Sequence, residues 1–404
     1  MQPKTAIIIG AGIAGCSSAY ALAQRGIKVT LLERHEQIAD EASGNPQAML
    51  YPRLSGDDTA SQFALAGYVY SLDLIAKLAL DQADFHACGM LQLGFNDREL
   101  ARIEKVAALA GAADYLQLLD QAEASQKAGI ALLHPALHFP QAAWLKPKAL
   151  CQRLLSHENI VLKTSINVSK VLKSKDVFEI YSGDNCIEKS EIVILTNANQ
   201  AQHLGLNLHL KTQAVRGQLS LVRASAASLR LQSIVCSDGY LSPASDGLHS
   251  LGASFSSDPS TAIDALDHQS NLSKLNSYAE TLYDSLKHKV QGGRVSFRCS
   301  SADYFPLLGE LLDHQALSAR PPRPNANAAT LPWVKGLYSN LAHGSRGFTS
   351  APLCAEILAS LICQEDLPIS HALASLLNPN RFILRQLGLK KLARSLATST
   401  DRHE

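Results

Sequence analysis

Two glycine-rich segments near opposite ends of the chain combine residue types suited to an electron-rich ligand. The first, Gly10-Ala11-Gly12-Ile13-Ala14-Gly15, fits the GxGxxG spacing. There Gly10 permits a tight turn, Gly12 lets the backbone approach a pyrophosphate, and Gly15 lets a helix pack closely on a strand. Glu33 follows where a carboxylate accepts hydrogen bonds from ribose hydroxyls and repels a 2′-phosphate. The second segment runs from His343 to Pro352 as HGSRGFTSAP, ahead of the apolar run LCAEILASLI. Gly344, Ser345, Arg346 and Gly347 offer backbone N–H groups and a guanidinium. A helix starting behind Pro352 adds the positive end of its dipole. NAD and FAD both satisfy the first segment. An extended FAD needs a second site for its ring, so the pair of segments favours FAD.

The elements that must position these residues are legible in outline. Residues 5–9 are a β-branched run, 14–25 an Ala/Leu-rich helix stopped by Gly26, and 29–32 a second strand, which together make a βαβ unit. Residues 58–80 read as an amphipathic helix, 85–95 as strand, and 99–130 as helical. Strands follow within 161–195 and 213–256, then a helix over 270–289. The prolines and asparagines of 319–332 mark a loop. Residues 381–394 carry Arg381, Arg385, Lys390, Lys391 and Arg394 without an acid.

Composition excludes several classes. The chain has 404 residues, 46% hydrophobic and 18% charged, with a net charge of +1, which describes a globular protein with room for two domains and no global polyanion-binding character. No apolar run reaches the ~18–20 residues of a membrane span. The N-terminal apolar stretch is broken by glycines and does not read as a signal peptide. Eight scattered cysteines, without CxxC pairs or zinc spacing, read as reduced thiols of a cytoplasmic protein.

An ordered series of motifs resembles the glycine oxidase and D-amino-acid oxidase superfamily of flavoproteins. It is most similar to the FAD-dependent oxidase domains of the bifunctional tRNA 5-methylaminomethyl-2-thiouridine biosynthesis proteins. The series is ASGNPQAMLYP (42–52), AWLKP (143–147), VRGQLS (215–220), DGYLSP (238–243), LGASF (251–255), RCSSADYFPLLG (298–309), HGSRGFTSAPLCAEILAS (343–360) and LNPNRF (377–382). Two departures stand out. Ala48 occupies a position where that pattern often has glycine, and Asn197-Ala198-Asn199 stands where wider relatives have Thr-Gly or Asn-Gly.

The resemblance implies an α/β fold: a Rossmann-like FAD-binding domain with an inserted mixed-sheet α+β substrate domain. The expected division is 1–83, 144–212 and 330–380 for the FAD domain, 84–143 and 213–329 for the substrate domain, and 381–404 as a basic tail. It implies that Ser43, Gly44, Asn45 and Gln47 contact the cofactor, that Gly344 to Gly347 face the isoalloxazine, and that Arg298 clamps a substrate carboxylate with help from Tyr240. Arg298, Tyr240 and Arg346 are the expected catalytic residues, with no metal. The implied reaction is oxidative removal of the carboxymethyl group from 5-carboxymethylaminomethyl-(2-thio)uridine at the tRNA wobble position, releasing glyoxylate. The anticodon loop would be the substrate, with phosphate contacts expected from the basic tail or Lys211 and Arg216. The chain begins almost directly at the FAD fold, so methylation is expected to be absent or supplied by another chain. Two alternatives stay open at this point: an oxidase of free glycine, sarcosine or a D-amino acid, and a flavin-binding protein without turnover.

Overall fold

The computed structural model describes residues 4–399 apart from 110, 112, 113, 207, 209, 324 and 325. Its first sheet has six strands in the order Leu307–Leu312, Trp333–Leu341, Val193–Leu195, Thr5–Ile9, Lys28–Leu32, Ile160–Lys163. All neighbours run parallel except Leu307–Leu312, which pairs antiparallel with Trp333–Leu341. Both faces are covered, as a parallel sheet requires. Ala6 and Ile8 point into a core shared with the helices Ile13–Ala23, Thr59–Leu78, Pro147–Leu155 and Gly347–Cys363. Ile7 and Ile9 point the other way, against Val171, Phe178 and Ile180 of a three-stranded antiparallel sheet.

The second large sheet has eight strands, in the order Val290–Ser301, Thr212–Arg223, Leu248–Gly252, Tyr240–Leu241, Ile234–Cys236, Met90–Leu93, Ala136–Phe139, Gln117–Leu119. Helices Ala265–Asn276 and Glu280–Leu286 bury Leu275, Tyr278 and Leu286 against Leu91, Val235 and Leu251. Helix Asp97–Ala107 packs Ile103 and Val106 against Met90, Phe139 and Ile234 on the opposite side. The strands Tyr240–Leu241 and Val290–Ser301 of the second sheet carry Tyr240 and Arg298.

Two helices whose N-termini matter below are bound together. Arg25, just past the first helix, donates to Glu356 at 2.7 Å and to Glu365 at 2.8 Å, within and just beyond the helix Gly347–Cys363. Asn340 Nδ2 donates to Ser18 Oγ at 3.0 Å.

Several expectations hold in detail. The helix expected over 58–80 is Thr59–Leu78, started by Asp58 accepting from Ser61 N. All eight cysteines are free, and Cys16, Cys151, Cys236, Cys299, Cys354 and Cys363 are buried. Others need revision. The helix expected over 270–289 is two, Ala265–Asn276 and Glu280–Leu286. The stretch 99–130 is broken by the strand Gln117–Leu119. Leu307–Leu312, placed with the second domain, completes the first sheet because all six of its residues are buried there. No helix among the described residues is long and apolar enough to cross a membrane.

Candidate functional site

The first strand ends at Ile9 and the chain turns at Gly10, whose φ of +105° suits glycine alone. A Cβ at Gly10 would stand 2.9 Å from Asn197 Cα, and one at Gly15 only 1.9 Å from Gly10 O. Gly15 therefore packs the helix onto the strand and does not line the cavity described below. Gly12 caps that helix without a side-chain bond. Ser43 supplies one instead, its Oγ accepting from Ile13 N at 3.0 Å. Glu33 is 7% exposed and accepts from Ala11 N at 2.7 Å and His35 N at 3.0 Å, so it shapes the turn as well as facing the cavity.

The 43–47 segment divides by role. Ser43, Asn45 and Gln47 line the cavity, and Gly44 does not. A Cβ at Gly44 would lie 2.6 Å from Arg294 Nη2. Its smallness admits the guanidinium, which donates to Asp40 O, Glu41 O and Asn45 Oδ1. Gln47 is 2% exposed and saturated, donating to Pro243 O and accepting from Ser242 Oγ, which ties this wall to the second sheet. Ala48 sits in the strand Ala48–Leu50, where nothing demands glycine. Ala198, by contrast, has a φ of +51°, a conformation that a glycine would adopt without strain.

The second glycine-rich segment starts its helix earlier than expected. The helix runs Gly347–Cys363 with Pro352 inside it, in the second turn, at the cost of one intrahelical N–H bond. Its first turn holds no acid, and the N–H groups of Gly347 and Phe348 meet no acceptor among the described residues. Gly344, with a φ of +58°, donates to Cys299 O at 2.8 Å. Ser345 and Arg346 are exposed by area, yet burial pulls the Arg346 pKa down, as befits a guanidinium projecting into a deep cavity. Arg346 has no carboxylate partner among the described residues. Beneath it His343 bonds Ser350 Oγ and Asn340 Oδ1, both at 2.9 Å, and burial lowers its pKa to about 4. It is neutral at pH 7. Asn340 gives its amide to Ser18, so the imidazole donates from Nε2 and accepts at Nδ1.

Arg298 lies on the strand Val290–Ser301 opposite Val215, and its side chain crosses to Gly217. A Cβ on Gly217 would stand 2.1 Å from Arg298 Nη1. The guanidinium rests on the Phe255 ring, 4.4 Å from the centroid, and donates to Ser254 O at 3.4 Å. No acid pairs with it among the described residues. Burial lowers its pKa, and Tyr240 nearby works against that shift. Burial pushes the Tyr240 phenol up to about 12, so it stays a donor across the physiological range.

A cavity of about 910 Å³ joins these parts, running from Gly10, Gly12 and Glu33 past Asn197 to Gly344–Phe348, Tyr240 and Arg298. It fits a flavin dinucleotide on three grounds. Two acid-free helix N-termini open onto it, glycines keep its walls low, and Asn197 Oδ1 is buried in its wall without a hydrogen-bond partner. The sequence reading missed Gly217, Arg294 and His343. Gly217 was in view within VRGQLS, but nothing local to it signals an arginine arriving from another strand.

The expected phosphate contacts separate. Arg216 is 3% exposed and bonds Asp267, Ser260 O and Ala262 O, so it anchors a loop. Arg381 is fully buried, donating to Asp303, Phe305 O and Pro306 O. Burial works against the Asp303 carboxylate, but Arg381 holds its pKa below the usual range. These two arginines are structural. Lys211 is exposed, and residues 400–404 of the tail lie outside the described residues.

Comparison with known proteins places these features in context. The family model described as FAD dependent oxidoreductase matches residues 5–361. The chain is 42% identical over 400 residues to the tRNA 5-methylaminomethyl-2-thiouridine biosynthesis bifunctional protein MnmC of Methylobacillus flagellatus, covering 98% of this chain and 62% of that protein. It is 40% identical to the bifunctional protein of the same name from Pseudomonas putida, covering 95% and 60%. The chain thus spans about three fifths of the length of these curated relatives. Glycine oxidase from Geobacillus kaustophilus superposes with a TM-score of 0.74 at 19% identity, covering 92% of this chain and 98% of that one.

Proposed function

The chain belongs to the FAD dependent oxidoreductase family, and from that premise we propose that it acts on the wobble uridine of tRNA. It oxidatively removes the carboxymethyl group of 5-carboxymethylaminomethyl-(2-thio)uridine, leaving 5-aminomethyl-(2-thio)uridine and glyoxylate. The bifunctional relatives support the tRNA part of this reading. The observation that carries the chemistry is Arg298: a half-buried guanidinium in the cavity wall with no carboxylate partner among the described residues.

Bound FAD would supply the two-electron acceptor for a C–H bond beside an amine nitrogen, and water would cleave the C–N bond of the resulting imine to give the amine and glyoxylate. Gly10, Gly12, Glu33, Ser43 and Asn45 hold its dinucleotide part, with Gly15, Gly44 and Gln47 shaping their backbone. Gly344, Ser345, Arg346 and Gly347 face its ring, and the open amides of Gly347 and Phe348 with Arg346 favour negative charge there. The substrate side chain is an N-substituted glycine, so its carboxylate adjoins the reacting carbon. Arg298 takes that carboxylate with the edge of its fork, and Tyr240 adds a neutral donor. With both carboxylate oxygens held, Arg298 and Tyr240 would fix the reacting carbon within the cavity, where positioning does most of the work. His343, neutral and bonded through both ring nitrogens, locks the loop and takes no part in proton transfer. The product amine is the acceptor a methyltransferase would take, which makes such an enzyme the functional partner of this reading and the cytoplasm its location.

The same clamp suits free glycine or sarcosine, and the glycine oxidase-like fold keeps that second reading in play. Incubating the flavoprotein with tRNA bearing the carboxymethylated uridine, then analysing nucleosides by mass spectrometry, separates the two. Conversion to the aminomethyl nucleoside with glyoxylate release is expected. Intact tRNA beside rapid sarcosine turnover would overturn the tRNA reading.

A further inference from the structure

Phe255 is a large apolar residue left 63% exposed, and it lies in the cavity wall beside the carboxylate clamp. An isolated exposed ring needs no explanation on an outer surface. This one stands on held backbone. Ser254 N donates to Gln218 O at 3.0 Å before it, and Ser256 exchanges bonds with Arg216 at 2.9 and 3.1 Å after it. The loop beyond is pinned by the Arg216 side chain to Ser260 O and Ala262 O and by its ion pair with Asp267. Phe255 is therefore a rigid projection. Arg298 covers one face at 4.4 Å, and the ring surface that remains opens to the cavity.

We propose that Phe255 is the platform on which the nucleobase of the substrate stacks, and so the residue that selects an N-substituted glycine whose substituent is a flat ring. This deepens the tRNA reading and rests on it. A carboxylate on the edge of Arg298 places the amine substituent within the same cavity as the ring, and the wobble uracil is joined to that amine through one methylene. Every base has a π face, and an aromatic side chain that receives one contributes sequence-tolerant affinity. The stacked guanidinium keeps its N–H edge free for the carboxylate, so base stacking on Phe255 and carboxylate binding on Arg298 are separable.

The test compares Phe255→Ala, Phe255→Leu and Phe255→Trp with the wild type on two substrates. One is an anticodon stem-loop carrying 5-carboxymethylaminomethyluridine. The other is N-methylglycine, followed by turnover or by perturbation of flavin absorbance. Alanine and leucine are expected to raise KM for the stem-loop roughly tenfold to a hundredfold, with N-methylglycine changed less than about threefold; tryptophan should retain stem-loop affinity. Equal losses on both substrates would reduce Phe255 to a positioner of Arg298 and overturn the platform. Unchanged stem-loop kinetics would overturn it too. Wild-type protein inactive on the stem-loop overturns the tRNA reading itself, a distinguishable result.

Discussion

Replacing Gly217 by alanine isolates the carboxylate clamp from the stability of the fold. Gly217 lies in the strand Thr212–Arg223, so alanine fits its backbone and stabilises by about 0.4–1 kcal/mol through the unfolded state. The new Cβ would stand 2.1 Å from Arg298 Nη1 and 2.5 Å from both Cζ and Nη2. Non-bonded contact needs about 3.5 Å, so the guanidinium must retreat by more than about 1 Å. It is the tip of a flexible side chain, and it can retreat without moving the sheet. A displacement of that size costs on the order of a hundredfold in a positioned reaction. The expected outcome is kcat/KM for carboxylate-bearing substrates down about a hundredfold, with unchanged flavin absorbance and an unchanged or slightly higher Tm. Activity within threefold of wild type would refute the assignment of Arg298. Early melting would refute the claim that only the side-chain tip moves.

Gly15→Ala should act in the opposite sense. Its Cβ would meet backbone, 1.9 Å from Gly10 O, so a loss of about 3 kcal/mol or more is expected by urea denaturation, and a wild-type midpoint would contradict the packing argument. Arg346→Ala should release FAD at least about tenfold more readily or lower its reduction potential, since it removes the cation facing the ring; fluorescence of freed FAD and potentiometry check this. His343 has a folded pKa of about 4 against the ordinary 6.5, so the unfolded chain binds the extra proton between those values. Its stabilisation is complete above pH 6.5 and fades as pH falls towards 4, about 2 kcal/mol being lost between pH 7 and 5. His343→Gln should shrink that difference between urea midpoints, and an unaltered pH dependence would rule the residue out.

The parts of the site that were legible are those whose partners lie close in sequence. The glycine turn announces itself because Gly10, Gly12 and Gly15 serve one turn and one helix, and Glu33 closes it through Ala11 N. Arg298 and Tyr240 were reached through resemblance, and both stand in the cavity. What misled was charge without its partner. Arg216 reads as a surface cation until Asp267, on a helix some fifty residues later, neutralises it. Arg381 sits in a run of basic residues, yet Asp303 and four carbonyls enclose it completely. Gly44 looked like a ligand contact because a glycine needed for an arginine to pass cannot be told, locally, from one needed for a phosphate. The start of the last long helix was misplaced because proline is easily taken for a helix's first residue, whereas Pro352 sits in the second turn of Gly347–Cys363.

The ties of the first long helix, from Arg25 to Glu356 of the last one and from Ser18 to Asn340 on the strand Trp333–Leu341 that precedes it, have a thermodynamic consequence. They hold the two acid-free helix starts at one spacing, so a dinucleotide bridging them as proposed would behave as a chelate. Once one half docks, the other is presented at high effective concentration, and the covalent link itself contributes affinity. Flavin mononucleotide and adenylate offered separately would forfeit that advantage even while making every contact.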